Sequence, residues 1–278
     1  MKKQFKKIYI EISNICNLKC PFCSQTDREK TIMSAQKFND VIKQSKEYSD
    51  YIYLHVKGEP LVHPQFMEIL SIAEVNNIKI NITTNGILIR EVEEILFRSK
   101  AIHQINISLH SLVCLNDKQK ENYLNNIYHF IEQVSKQKNF FVSLRLWIKN
   151  DNLNAYILNY LENKLNKKII ISKKSIIDQV YISCDEEFAW PNLSSSFVSH
   201  VGSCLGTRDQ IAILANGDVV PCCLDAEGMI KFGNIFEESL TIILNKPRFL
   251  EMKKGFENRK VLEELCQKCT YRLRFEKN

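Results

Sequence analysis

The 278 residues suffice for one large domain or for a medium domain with an appendage. With 45% apolar and 25% charged residues, the composition excludes disordered and fibrous chains. No run of about 18 apolar residues occurs, and the N-terminus lacks the apolar stretch of a secretory signal, so a cytoplasmic protein without a membrane partner is expected. The net charge is +6, and four lysines (Lys2, Lys3, Lys6, Lys7) fall in the first seven positions. They read as a solvated arm, because a nucleic-acid surface would interleave its charge with aromatics on a folded face. Ten cysteines in such a chain point to metal or redox chemistry rather than disulfides.

In chain order, β-rich runs at 8–12, 51–56, 78–82, 104–109, 141–146 and 179–182 read as strands. Helical periodicity fills the intervals over 34–48, 64–77, 87–99, 117–136 and 152–165. Ser34 and Asp117 suit N-caps, and Pro64 suits a first helical turn. Six strands joined by helical crossovers specify a parallel α/β succession. A closed eight-stranded barrel takes about 250 residues, so the shorter run predicts a partial (β/α)6 TIM-like barrel, assigned here to residues 1–190. Residues 191–278 read as a small C-terminal α+β extension. Its hairpin pairs 210–214 with 218–220 through a tight primed turn at Asn216-Gly217, and short helices follow at 237–244 and 247–254. So small a unit needs a cross-link.

The sharpest motif is Cys16-Asn-Leu-Lys-Cys20-Pro-Phe-Cys23, directly after the first strand. Three thiolates from one loop suit a soft multi-iron cluster, and the carboxyl end of a barrel strand is where such folds keep their active sites. A second set comprises Cys204, Cys222 and the pair Cys266-Gln-Lys-Cys269. From the ligands alone it suits either a zinc ribbon or an iron–sulfur cluster. Arg145 inside a barrel requires an anion. Cys114 and Cys184 read as small buried hydrophobes.

The C-x3-C-x2-C loop after strand one of a part-barrel, followed by Lys57-Gly58-Glu59-Pro60 after strand two, resembles the radical S-adenosylmethionine (SAM) enzymes. Lys57 stands where that family's Gly-Gly-Glu-Pro element has its first glycine. The resemblance implies two [4Fe-4S] clusters and SAM as cofactors. Cys16, Cys20 and Cys23 would hold the catalytic cluster, and Gly58 and Glu59 the methionine amino group. Phe22, Thr84, Asn85, Ser108, His110 and Arg145 would complete the cofactor site. The order of Cys204, Cys222, Cys266 and Cys269 is similar to the twitch or shortened SPASM extension, which implies a second, fully ligated cluster. Cys223 would be a catalytic hydrogen donor, and a flavodoxin- or ferredoxin-type protein the reductant.

Carboxylates beside aromatics after strand six suit a cationic or purine-like small molecule. The candidates are Asp185, Glu186, Glu187 and Trp190, joined by Trp147 and Asp209. Size, both cysteine patterns and the Lys-Gly-Glu-Pro and Leu-Arg-Leu-Trp elements resemble the queuine lyases, which imply C–N cleavage of a 7-deazapurine to preQ1. The alternatives are a ribosomal-peptide maturase, an aminocyclitol alcohol dehydrogenase and, from another class, a zinc-ribbon RNA-binding module. Only seven residues precede strand one, so no leader-binding domain is expected.

Overall fold

The computed structural model describes residues 3–24, 26–147 and 150–275. Lys2 of the basic arm and the last three residues assigned to the extension lie outside the described residues. The chain alternates β1 (Lys7–Ile10), α1 (Ala35–Ser45), β2 (Tyr51–Leu54), α2 (Phe66–Val75), β3 (Lys79–Thr84) and α3 (Ile89–Arg98). It continues through β4 (Ile102–Ser108), α4 (Asp117–Gln137), β5 (Phe141–Leu146), α5 (Asp151–Leu165), β6 (Ser175–Ile177) and β7 (Val180–Cys184). The C-terminal part adds β8 (Gln210–Ile213), β9 (Asp218–Val220), β10 (Gly233–Asn234), α6 (Leu240–Leu244), α7 (Pro247–Glu257) and α8 (Glu264–Gln267). Strands β1, β2, β3, β4, β5 and β7 pair in parallel in that order, which is the partial barrel the sequence predicts.

Strand alternation explains why this sheet curls around a site. Ile8, Ile10, Ile52, Leu54, Ile80, Ile82, Ile105 and Ile107 are fully buried in the core shared with the helices. The alternate positions are polar or amphipathic, and the register aligns them: Tyr9 lies opposite Tyr53, Tyr53 opposite Asn81, Thr83 opposite Asn106, and Ser108 opposite Arg145. A parallel sheet covered on both faces reads as continuous apolar runs. Here one face is apolar against helices, and the other forms a polar interior.

The extension is not a separate appendage. Strand β8 pairs in parallel with β1, from Lys7 opposite Gln210 to Ile10 opposite Ile213, and β9 and β10 continue antiparallel. The ten strands form one sheet, ordered β10-β9-β8-β1-β2-β3-β4-β5-β7-β6. An open β1 edge would leave unpaired N–H and C=O groups, and the extension satisfies them. At the other edge β6 pairs antiparallel with β7.

Several local expectations are corrected. The β8–β9 connection is a four-residue turn: Gly217 N–H donates to the Leu214 carbonyl at 2.8 Å, and Gly217 (φ 92°) takes the left-handed conformation that Asn216 does not share. Ser34 caps α1 as expected, its side chain accepting from Lys37 N–H. The cap of α4 is Asn116 rather than Asp117, in a capping box with Gln119. Pro64 precedes α2, and it is Pro60 that opens a short 3-10 turn, Pro60–Val62. Cys184 is exposed at the end of β7 and Cys114 is half-buried at the end of the 3-10 turn Leu109–Cys114, so neither is a core residue. Lys7 belongs to β1, not to a free arm. Lys6 pairs with Asp209 at 3.3 Å, and Lys3 donates to the Lys46 carbonyl.

Candidate active site

The carboxyl ends of the parallel strands open on a cavity of about 410 Å³. All seven cysteines singled out as metal ligands line it: Cys16, Cys20 and Cys23 from the loop after β1, and Cys204, Cys222, Cys266 and Cys269 from the C-terminal part. Each is a free thiol.

The loop carrying the first three is anchored on both sides. Asn14 accepts from Thr31 N–H and donates to the Glu29 carbonyl, each at 2.8 Å. Glu59 N–H donates to the Ile15 carbonyl at 2.9 Å. Gly58 has φ +75°, and a Cβ there would lie 2.2 Å from the Ser13 carbonyl oxygen. Only glycine lets the two backbones approach so closely. The Glu59 carboxylate, buried at 2% exposure, accepts from Leu61 N–H at 3.0 Å and Asn85 N–H at 2.7 Å. Burial raises its pKa to about 7 despite those two bonds. Asn85 reaches back to the cluster loop, donating to Asn17 Oδ1 at 2.7 Å. Thr84 accepts from Gly86 N–H at 3.0 Å.

Ser108 ends β4, but His110 lies in the following 3-10 turn rather than on the strand, so simple alternation does not place it. Its ring meets Phe22 edge-on at 4.7 Å, and burial lowers its pKa to about 4, leaving it neutral. The Arg145 guanidinium stands 4.4 Å over the Trp147 ring. Burial lowers it to about 10, so it remains a cation, and among the described residues no carboxylate pairs with it. All the predicted cofactor residues line the cavity.

The substrate candidates divide. Trp147, Glu187 and Trp190 line the cavity. Asp185 is turned away, bound to Arg274 at 2.7 Å, and Glu186 follows it with its carbonyl accepting from the same guanidinium. Asp209 is held by Lys6, outside the wall. An arginine or lysine at hand neutralises these carboxylates at the surface more cheaply than burial would. Phe188, the other aromatic of the segment after β7, lines the cavity too, whereas sequence reasoning missed Lys7, Tyr9, Tyr53, His55 and Tyr271 on the same wall. The period-two pattern of β1 and β2 carried a signal for the first four, while Tyr271 had none.

In the second set, burial raises the Cys222 and Cys266 thiols, and Cys204 to about 11. Metal binding there must displace protons. Arg272, 1% exposed, donates to the carbonyls of Cys266 (2.9 Å) and Ser199 (2.8 Å), fastening the tail. Cys223 packs against the cluster that contains Tyr9, and burial raises its thiol to about 11. Among the described residues no three His, Cys, Asp or Glu side chains close tightly enough for a single metal ion. Three plus four thiols around a roomy cavity fit iron–sulfur clusters, whose bodies spread their ligands more widely.

A profile for the radical SAM superfamily matches residues 10–134, and the SPASM iron–sulfur cluster-binding domain matches residues 204–270. The chain thus carries a radical SAM domain followed by a SPASM iron–sulfur domain. Its cofactors are accordingly SAM and two iron–sulfur clusters, and the zinc-ribbon alternative falls away. This radical SAM chain is 31% identical over 114 residues to a probable GTP 3′,8-cyclase of Methanococcus maripaludis, covering 40% of the chain and 38% of that protein. The match thus spans well under half the length of the curated relative. Among solved structures, BtrN in complex with AdoMet and 2-DOIA superposes with a TM-score of 0.59 at 17% identity, covering 97% of this chain and 94% of that one. The anSMEcpe structure with bound AdoMet gives 0.61 at 16% identity, covering 95% and 83%. Those likenesses show the radical SAM fold with a C-terminal extension. Among the described residues no helix is long and apolar enough to cross a membrane.

Proposed function

We propose that this radical SAM enzyme acts on a small molecule held between its two cysteine sites, and that the reaction is C–N cleavage of queuine to release preQ1. In this reading residues 1–190 are the catalytic barrel, 191–278 the auxiliary-cluster unit, and a flavodoxin- or ferredoxin-type protein the reductant. The observation that carries it is one cavity wall combining Glu187, the aromatic rings of Phe188 and Trp190, and the cation Lys7.

When bound at Cys16, Cys20 and Cys23, the cluster and SAM supply a 5′-deoxyadenosyl radical. The chain's own groups position the reactants. Glu59 accepts the methionine ammonium beside Gly58, and Arg145 meets the carboxylate. Thr84, Asn85, Ser108, His110 and Phe22 line the nucleoside side. Cys204, Cys222, Cys266 and Cys269 hold the auxiliary cluster. Glu187 accepts the paired N–H donors of a guanine-like edge, Lys7 donates to its ring carbonyl, and Trp190 and Trp147 cover the faces. Cys223, on the same cavity wall as Tyr9, would donate a hydrogen atom to a substrate radical.

The test is anaerobic incubation of reduced, reconstituted protein with SAM and queuine, guanine or preQ1, read by mass spectrometry. Queuine is expected to yield preQ1, and Glu187→Gln to weaken its binding by about 1–3 kcal/mol, in line with base-edge readout. If queuine binds no better than guanine and gives no preQ1, the lyase reading fails, and aminocyclitol and peptide substrates take its place.

A further inference from the structure

We propose that Lys57 is a positioning residue that eases reduction of the cluster held by Cys16, Cys20 and Cys23 and ties that cluster to the segment carrying Trp190. Lys57 occupies the position after β2 where a glycine would otherwise stand, and it is 6% exposed. Its ammonium donates to the Ser24 carbonyl at 2.6 Å and to Ser24 Oγ, and lies 3.8 Å from Cys23 Sγ. On the opposite side it sits 3.4 Å from the centroid of the Trp190 ring. The Lys57 backbone N–H donates to Glu11 at 3.1 Å, which fixes where the side chain starts. Among the described residues no carboxylate forms an ion pair with the ammonium: of the two that face it, Glu227 accepts from the Thr26 hydroxyl at 2.9 Å and Glu11 is taken by Arg28.

A buried cation without a carboxylate partner favours negative charge beside it. Here that neighbour is the sulfur of a cluster ligand. Hydrogen bonds to the sulfurs and nearby charge set cluster potentials, so this ammonium favours the reduced form. Trp190 strengthens the effect by covering the cation with an aromatic face instead of water. Trp190 in turn packs against the cluster formed by Tyr9, Val56, Ala212, Leu214, Val220 and Ala226, so Lys57 ties the segment after β7 to the loop of Cys16, Cys20 and Cys23.

The experiment is an anaerobic EPR redox titration of the full-length reconstituted protein. The signal that SAM perturbs marks the N-terminal cluster, and the auxiliary cluster serves as internal control. Lys57→Met should lower the reduced-to-oxidised ratio of the SAM-sensitive cluster about tenfold at fixed solution potential, a shift of about 59 mV for one electron. Lys57→Arg should restore most of it. Trp190→Leu, which leaves Lys57 in place but admits water, should shift the same cluster in the same direction by less. An unchanged titration in a Lys57→Met protein that keeps its iron overturns the proposal, as does an equal shift of both clusters. Should Lys57→Met lose its iron, an unchanged titration of Trp190→Leu overturns it.

Discussion

At Glu59 a carboxyl group is enclosed by backbone donors, with no ion-pair partner among the described residues, and burial raises its pKa to about 7 from an ordinary 4.5. The folded state therefore binds this proton more tightly than the unfolded chain does. Its contribution to stability is fully present below pH 4.5 and is lost as pH rises through 7, by up to about 3 kcal/mol. In SAM-free protein, Glu59→Gln should thus gain stability relative to the parent as pH rises from 5 to 8, measured by urea unfolding. A difference that stays flat with pH would show that Glu59 is ionised throughout. Single residues were legible where a short motif fixes their neighbourhood, as for Cys16 to Cys23 and Gly58-Glu59. They were not where charge is satisfied at a distance: Asp185 and Asp209 look like site carboxylates until Arg274 and Lys6 claim them.

At the scale of elements, the end of β1 is tied to three other segments. Glu11 follows its last residue, and its carboxylate accepts from both Arg28 terminal nitrogens (2.8 and 2.6 Å), Lys57 N–H (3.1 Å) and Ala215 N–H (3.0 Å). One side chain joins the cluster loop, the end of β2 and the β8–β9 turn. Removing one partner of a buried ion pair costs about 3–5 kcal/mol, and two backbone donors would be orphaned as well. Glu11→Ala should fall at least in that range in denaturant unfolding. A loss below about 1 kcal/mol would mean that water replaces the carboxylate. Strands and helices were readable from their periods, whereas the cap at Asn116 and the turn ending in Gly217 depended on single-residue geometry.

Across the whole molecule, two thiol sets facing one cavity predict about eight irons per chain, four per cluster. Replacing Cys16, Cys20 and Cys23 together by alanine should remove about half the iron and all SAM cleavage, followed by iron assay and detection of 5′-deoxyadenosine. Surviving SAM cleavage would refute the ligand assignment. Metal binding in small units is largely their folding energy, so Cys266→Ala should sensitise 202–275 to protease, and unchanged resistance would count against it. The sequence by itself determined the β/α succession and singled out the seven cysteines that the fold brings to one cavity, because hydrophobic periods and cysteine spacing are local properties. Only the tertiary structure decided that β8 completes the edge of β1, that Lys7, Tyr9 and Tyr271 share a wall, and that Glu187 alone of the four proposed substrate carboxylates reaches it. Those facts rest on backbone pairing and charge neutralisation between residues up to some 200 positions apart, which no local pattern encodes.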